Sequence, residues 1–272
     1  MTDHVIDPQA RDMKPLATRA LDTAAKFWFM VAVVGQWIFV YYVLYHYGGL
    51  AAQGTFLSSE NGGFVADDTF GNLTLILHLS LAVVIIMGGT LQLVPQIRSR
   101  FPKFHRWTGR TYISTAIATS IGGLYMLWTR DIPGGTIMYI GMSLDAALII
   151  VFGVLAWWQA LKRNFVAHRR WALRLFMVVS AVWFFRVIFM GWVILNGGPA
   201  GFDPQTFTGP FVSFLAFGQY LLPLLILEIY LRAKERAGTT GRFAVAGLVS
   251  ISALLTGFGV FGAVMGMWFP AA

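Results

Sequence analysis

Between His78 and Arg110 the chain reads HLSLAVVIIMGGTLQLVPQIRSRFPKFHRWTGR, an apolar run that passes directly into a basic turn. No Asp, Glu, Lys or Arg occurs from His78 to Ile97. A helix rises ~1.5 Å per residue, so about twenty apolar residues cross the ~30 Å hydrocarbon layer of a bilayer. Within that layer each backbone N–H and C=O must be satisfied inside the segment, which makes a lone apolar run helical. Pro95 closes the run, because its ring cannot continue the hydrogen-bond ladder into the polar sequence beyond.

The same pattern recurs along the chain. Apolar runs cover about 27–46, 72–95, 111–128, 137–161, 171–195, 211–231 and 243–269, and each is followed by a short polar stretch. Residues 1–26 read as a polar tail with a short amphipathic turn around Leu16–Ala25, lying on the membrane surface. Four acids and no apolar core in this tail predict that it is not a cleaved signal peptide. Pro223 is expected to kink the sixth run. Gly262 and Gly266 in the seventh have the spacing that lets helices approach closely, here within the bundle. The reading is an all-α polytopic membrane protein: a tail, then seven spans over 27–269, with spans two to five as a repeated helix pair.

Charge sets the threading. The tail carries four Lys or Arg, and the second, fourth and sixth loops carry five, four or five, and four. The first and fifth loops carry none, and the third only Arg130. The first loop instead holds Glu60, Asp67 and Asp68. By the positive-inside rule the N-terminus lies in the cytoplasm and the C-terminus outside. A formal net charge of +8 would ordinarily suggest nucleic acid. Basic residues confined to short loops between apolar runs argue against it, and point to anionic lipid headgroups on the cytoplasmic face. With 57% hydrophobic residues, 12% charged and a mean hydropathy of +0.66, the bilayer is the principal partner. Cys is absent, so there is no disulfide, thiolate metal site or iron–sulfur cluster.

Two polar layers then stand out. Counted from the outer span ends, His78, Asp145, Arg186 and Gln219 lie ~9, ~12, ~13 and ~10 Å deep. Four polar residues on four spans thus share one layer, and ionisable groups inside a membrane call for partners. Asp145 and Arg186 are expected to form an ion pair. That pair either pins the fourth span to the fifth or, with His78 as the titratable member, binds a ligand.

At the inner ends, His105, Arg106 and Arg110 open the third span, and His168, Arg169, Arg170 and Arg174 open the fifth. Helix N-termini favour anions, so these segments suit lipid phosphates. Two histidines at one depth also suit the axial positions of a b-type haem, with Arg110 and Arg174 near its propionates. Trp107, Tyr112, Trp171 and Phe176 are the expected slot. A shared metal ion with His78 is excluded, since His78 lies ~25 Å from this layer. The last run holds no Lys for a retinal Schiff base, and no phosphate-cradling Gly loop occurs.

His78, Gln92, the HRWTGRTY segment from His105, HRRWALR from His168, and Arg186 together resemble the bacterial predicted-membrane-protein family called domain of unknown function 2306. The resemblance covers roughly residues 70–190. It implies a bacterial cytoplasmic membrane location and the site positions above, and assigns no activity. At a greater distance the histidines are similar to those of b-type diheme membrane cytochromes and ferric reductases, though the paired mid-helix histidines of those proteins are missing. Two functions follow. The first is a redox-associated protein holding haem b or a quinone at the inner layer. The second is a non-enzymatic binder, transporter or auxiliary subunit, within a larger membrane complex or alone, that uses the His78, Asp145 and Arg186 layer for a small molecule or lipid.

Overall fold

The computed structural model describes residues 8–56, 64, 65, 67–130 and 132–270. Glu60 and the first seven residues of the expected tail lie outside them. The described residues form nine α-helices, one π-helix and no strand. The helices are α1 (Pro8–Ala52), α2 (Thr69–Gln92), α3 (Pro95–Arg100), α4 (Pro102–Thr129), α5 (Gly135–Leu161), α6 (Phe165–Val179), α7 (Ala181–Leu195), α8 (Pro210–Arg236) and α9 (Thr239–Ala263). The π-helix, Val264–Trp268, continues α9.

Five of these helices are long and apolar enough to cross a membrane: α1, α2, α5, α8, and α9 with its π-helical end. A sixth candidate is α6 and α7 taken together, bent by 52° at their junction. The run 171–195, read from sequence as a single span, is therefore two helices meeting at Ser180. The Ser180 hydroxyl accepts a 2.9 Å bond from Gln36 Nε2, a buried side-chain contact at the break. At 28 residues α4 has the length of a span. Its Thr, Ser, Gly and Tyr residues make it less apolar than the others. It lies antiparallel along α2: Gly109 meets Gln92, Gly89 meets Tyr112, Gly123 meets His78 and Gly122 meets Thr74.

From Pro8 onward the expected tail is helix, continuous with the first run. Ala17, Leu21 and Ala24 recur at helical spacing and are buried, Leu21 and Ala24 against Ala233, Ala246 and Val249 of α8 and α9. Asp22 pairs with Lys234 at 2.7 Å, and Arg242 donates to Thr18 Oγ1 at 2.6 Å. The amphipathic stretch thus packs on protein, because the two neighbouring helices extend equally far and offer an apolar face.

Two large apolar clusters hold the bundle. One joins α1, α7 and α9 through Phe39, Trp183, Val187, Val260 and Trp268. The other joins α2, α4, α5, α6 and α8 through Ile85, Tyr112, Ala156, Leu175 and Tyr220. Glycine sets the closest helix approach. A Cβ on Gly259 would lie 2.3 Å from Val187 O on α7, and one on Gly262 would lie 3.3 Å from Met190 O. The spacing motif is thus used inside the bundle at Gly262, with Gly259 tighter still. Gly266 meets only the flexible end of the Met190 side chain.

Candidate functional site

The basic end is built from the first turns of α4 and α6. Pro102 starts α4, its fixed φ suiting the first helical position. Asn164 caps α6 by accepting from Ala167 N–H. Both His-Arg segments therefore lie within helix. His105 and His168 are within electrostatic reach of one another, with Arg98 also close to His105. His168 Nδ1 is 2.8 Å from the carbonyl of Ala156. A carbonyl oxygen only accepts, so Nδ1 carries the proton and the Nε2 lone pair of a neutral ring stays free. His105 Nδ1 is buried without a hydrogen-bond partner.

The arginines are otherwise occupied. Arg174 grips Glu228 through both edges of its fork, Nε to Oε1 at 2.6 Å and Nη2 to Oε2 at 3.0 Å, and lies 4.7 Å over the Trp171 ring. Arg110 lies 5.3 Å over Trp107, and Arg170 pairs with Glu235. Trp107 is 68% exposed, so it does not line a slot with the other three aromatic residues. Tyr112 and Phe176 pack on Gly89 within the bundle. What remains open is a cavity of about 460 Å³, lined by Asn164, Val166, Ala167, Arg170, Trp171 and Arg174. His105 and His168 thus lie near one another at the basic end, whereas Arg174 is turned to an acid that sequence spacing had not assigned to it. Glu228 lies as close to the end of its apolar run as Arg174 lies to the start of its own, and that match in depth is the signal that would have found it.

The mid-bundle layer does not close into one site. Asp145 is buried, and its Oδ1 has no hydrogen-bond partner. It faces α8, within electrostatic reach of the fully buried Tyr220, whose hydroxyl is also without a partner. Contact between Gly141 and the Ala216 backbone brings the two helices together one turn away. Gln219 is buried and donates within its own helix, Nε2 to Ala216 O at 3.1 Å. His78 packs on Gly123 of α4, with its Nδ1 buried and without a partner.

Arg186 points elsewhere. It donates from Nη1 to Val182 O at 2.8 Å and sits 5.2 Å over the Phe39 ring of α1. The ion pair expected between Asp145 and Arg186 is not formed. The helical azimuth, which counting along the span does not give, sends Asp145 to α8 and Arg186 to α1. Among the described residues, an ion pair toward the opposite end joins Asp68 and Arg130, Oδ2 to Nη2 at 2.9 Å. The Asp68 carboxyl caps α2 by accepting from Gly71 N–H at 2.9 Å. That bond first, and the Arg130 guanidinium second, hold it below the usual carboxylate range.

Comparisons with curated proteins and with solved structures give no match. A model of a family described as predicted membrane proteins, domain of unknown function 2306, matches residues 75–222, from α2 to the middle of α8. Since that match takes in more than half of the chain, together with both histidines of the basic end and all four polar residues of the mid-bundle layer, the protein belongs to this family of predicted membrane proteins.

Proposed function

We propose that this membrane protein binds a quinone at its basic end and is redox-associated through that ligand. One observation carries the reading. His168, with its proton held on Ala156 O, keeps Nε2 free, and its chain neighbour Ala167 lines a cavity together with Arg170 and Trp171. A quinone needs donors for its carbonyl oxygens and an aromatic wall for its ring, and Asn164 and Trp171 supply these. A quinol hydroxyl needs an acceptor, which Nε2 supplies. Haem b suits the arrangement less well. The Arg174 fork that would hold a propionate is on Glu228, and Trp107 faces outward.

In this reading α4 crosses the membrane with α2, along which it lies, making seven crossings. The basic end and the N-terminus face the cytoplasm, and the C-terminus lies outside the cytoplasmic membrane of a bacterium, with anionic headgroups around the rim. The spans from α2 to α7 repeat one helix pair, each ending in a His-Arg start.

The test uses full-length protein in lipid nanodiscs, titrated with ubiquinone-1 and followed by tryptophan fluorescence and visible absorption. Saturable quenching is expected, reduced at least tenfold in affinity by His168→Ala and reduced in amplitude by Trp171→Phe. Absence of saturable quenching overturns the reading. A Soret band on the purified protein replaces quinone with haem at these histidines.

A further inference from the structure

The guanidinium of Arg186 lies in the middle of AVWFFRVIFMGWVIL, a run with no other charge. Its charge cannot be relieved by deprotonation, and such a group inside a bilayer calls for a counter-charge. Asp145 was the obvious one, and the fold turns it toward α8. Among the described residues no Asp or Glu pairs with Arg186; its one hydrogen bond is from Nη1 to Val182 O, in its own helix.

The surroundings share one chemical character. Phe39 lies under the guanidinium, and Tyr42 and Tyr47 are within electrostatic reach of it. Trp268 packs on Phe39 and Tyr42, with ring centroids 5.2 and 6.3 Å away. Its indole Nε1 is buried and has no hydrogen-bond partner, although the residue is only 3% exposed. Trp268 is delivered to this place by the π-helix Val264–Trp268. A π-turn is rare, and it re-aims the side chains beyond it. The site therefore offers a fixed positive charge, N–H and O–H donors, and aromatic faces, without a carboxylate.

Geometry narrows the ligand further. With Nη1 held by Val182 O, the Nε and Nη2 edge keeps two parallel N–H donors that have no hydrogen-bond partner among the described residues. Two parallel donors match the two oxygens of a carboxylate. The Phe39, Tyr42 and Trp268 rings match an apolar body behind it. We infer that Arg186, with Tyr42, Tyr47 and Trp268, forms a binding site for an organic carboxylate between α1, α7 and the π-helical end of α9. This site is separate from the basic end and does not rest on the quinone reading.

Equilibrium dialysis of the full-length protein in nanodiscs against labelled benzoate and labelled decanoate tests the proposal, with benzyl alcohol and decanol as uncharged controls. Saturable binding is expected for at least one acid, and for neither alcohol. Binding of both acids marks a ligand that arrives from water, and binding of decanoate alone marks one that arrives from the bilayer. Arg186→Lys keeps the charge and loses the fork, and is expected to weaken acid binding at least tenfold. Trp268→Phe removes the indole donor and is expected to weaken it about threefold. His168→Ala, at the other end of the bundle, is expected to leave it unchanged, so failure of the quinone reading and failure of this one are told apart. The proposal is overturned if neither acid binds saturably, if acid and alcohol bind alike, or if a folded Arg186→Lys protein binds the acids as the wild type does. Should Arg186→Lys not fold, the acid–alcohol comparison on the wild type and the Trp268→Phe response still decide.

Discussion

A methyl group placed on Gly259 meets the carbonyl of Val187 at 2.3 Å, where ordinary contact begins at 3.4 Å, so α7 and α9 must move apart by about 1 Å. The obstacle is backbone, and it cannot rotate away. Val187 and Val260, both buried beside it, lose contact as the helices separate. Overpacking of this kind costs typically 1–3 kcal/mol, and a rigid obstacle places Gly259→Ala at the upper end, about 3 kcal/mol. Against this stands the helix-propensity gain of Ala over Gly, about 1 kcal/mol. Gly247 lies in the same helix with nothing within 4 Å of an added Cβ. Gly247→Ala therefore receives the same gain without the clash. The propensity gain is common to both variants, and the difference in their stability reads the packing cost alone. Reversible unfolding in mixed micelles of increasing dodecyl sulfate fraction is expected to show Gly259→Ala less stable than wild type by about 2 kcal/mol, and Gly247→Ala equal or slightly more stable. If the two variants unfold within about 0.5 kcal/mol of each other, the close approach of α7 and α9 through Gly259 is refuted.

Three further outcomes concern the charged groups. Arg174→Met or Glu228→Leu alone strands the partner charge. Because the two side chains remain 20% and 31% exposed, the cost is set at about 1–3 kcal/mol, below the full buried-pair value, and the double substitution is expected to cost less than the sum in a double-mutant cycle. The Asp68 carboxyl is held below its ordinary range by Gly71 N–H and Arg130. Its contribution to stability is thus complete above the unfolded carboxylate value of ~3.9 and is lost as pH falls through the lowered folded value; thermal unfolding of Asp68→Asn against pH should lack this acid limb. Asp145→Asn and Arg186→Gln are expected to be additive within about 0.5 kcal/mol in unfolding experiments, and a coupling of 1 kcal/mol or more would restore the pair that spacing suggested.

Hydropathy by itself determined that the chain is helical and embedded in a membrane, and how far each polar residue lies from the ends of its apolar run. These are one-dimensional properties: the bilayer requires each segment to satisfy its own backbone, and the rise per residue turns position into depth. The His-Arg segments were legible for the same reason, and they do come together at one end. What the runs leave undetermined is azimuth. Depth placed Asp145 beside Arg186, yet which neighbour each side chain meets depends on how every helix is rotated and on which helices touch. Gly141 against Ala216 sets the α5–α8 contact that turns Asp145 to Tyr220, and Gly259 against Val187 sets the α7–α9 contact on the Arg186 side of the bundle. The break at Ser180, the helical continuation of α1 back to Pro8 and the π-turn that carries Trp268 inward all answer to packing partners far away in sequence. Tertiary structure alone decided them, because close approach of backbones is a property of two helices at once and is written in neither one separately.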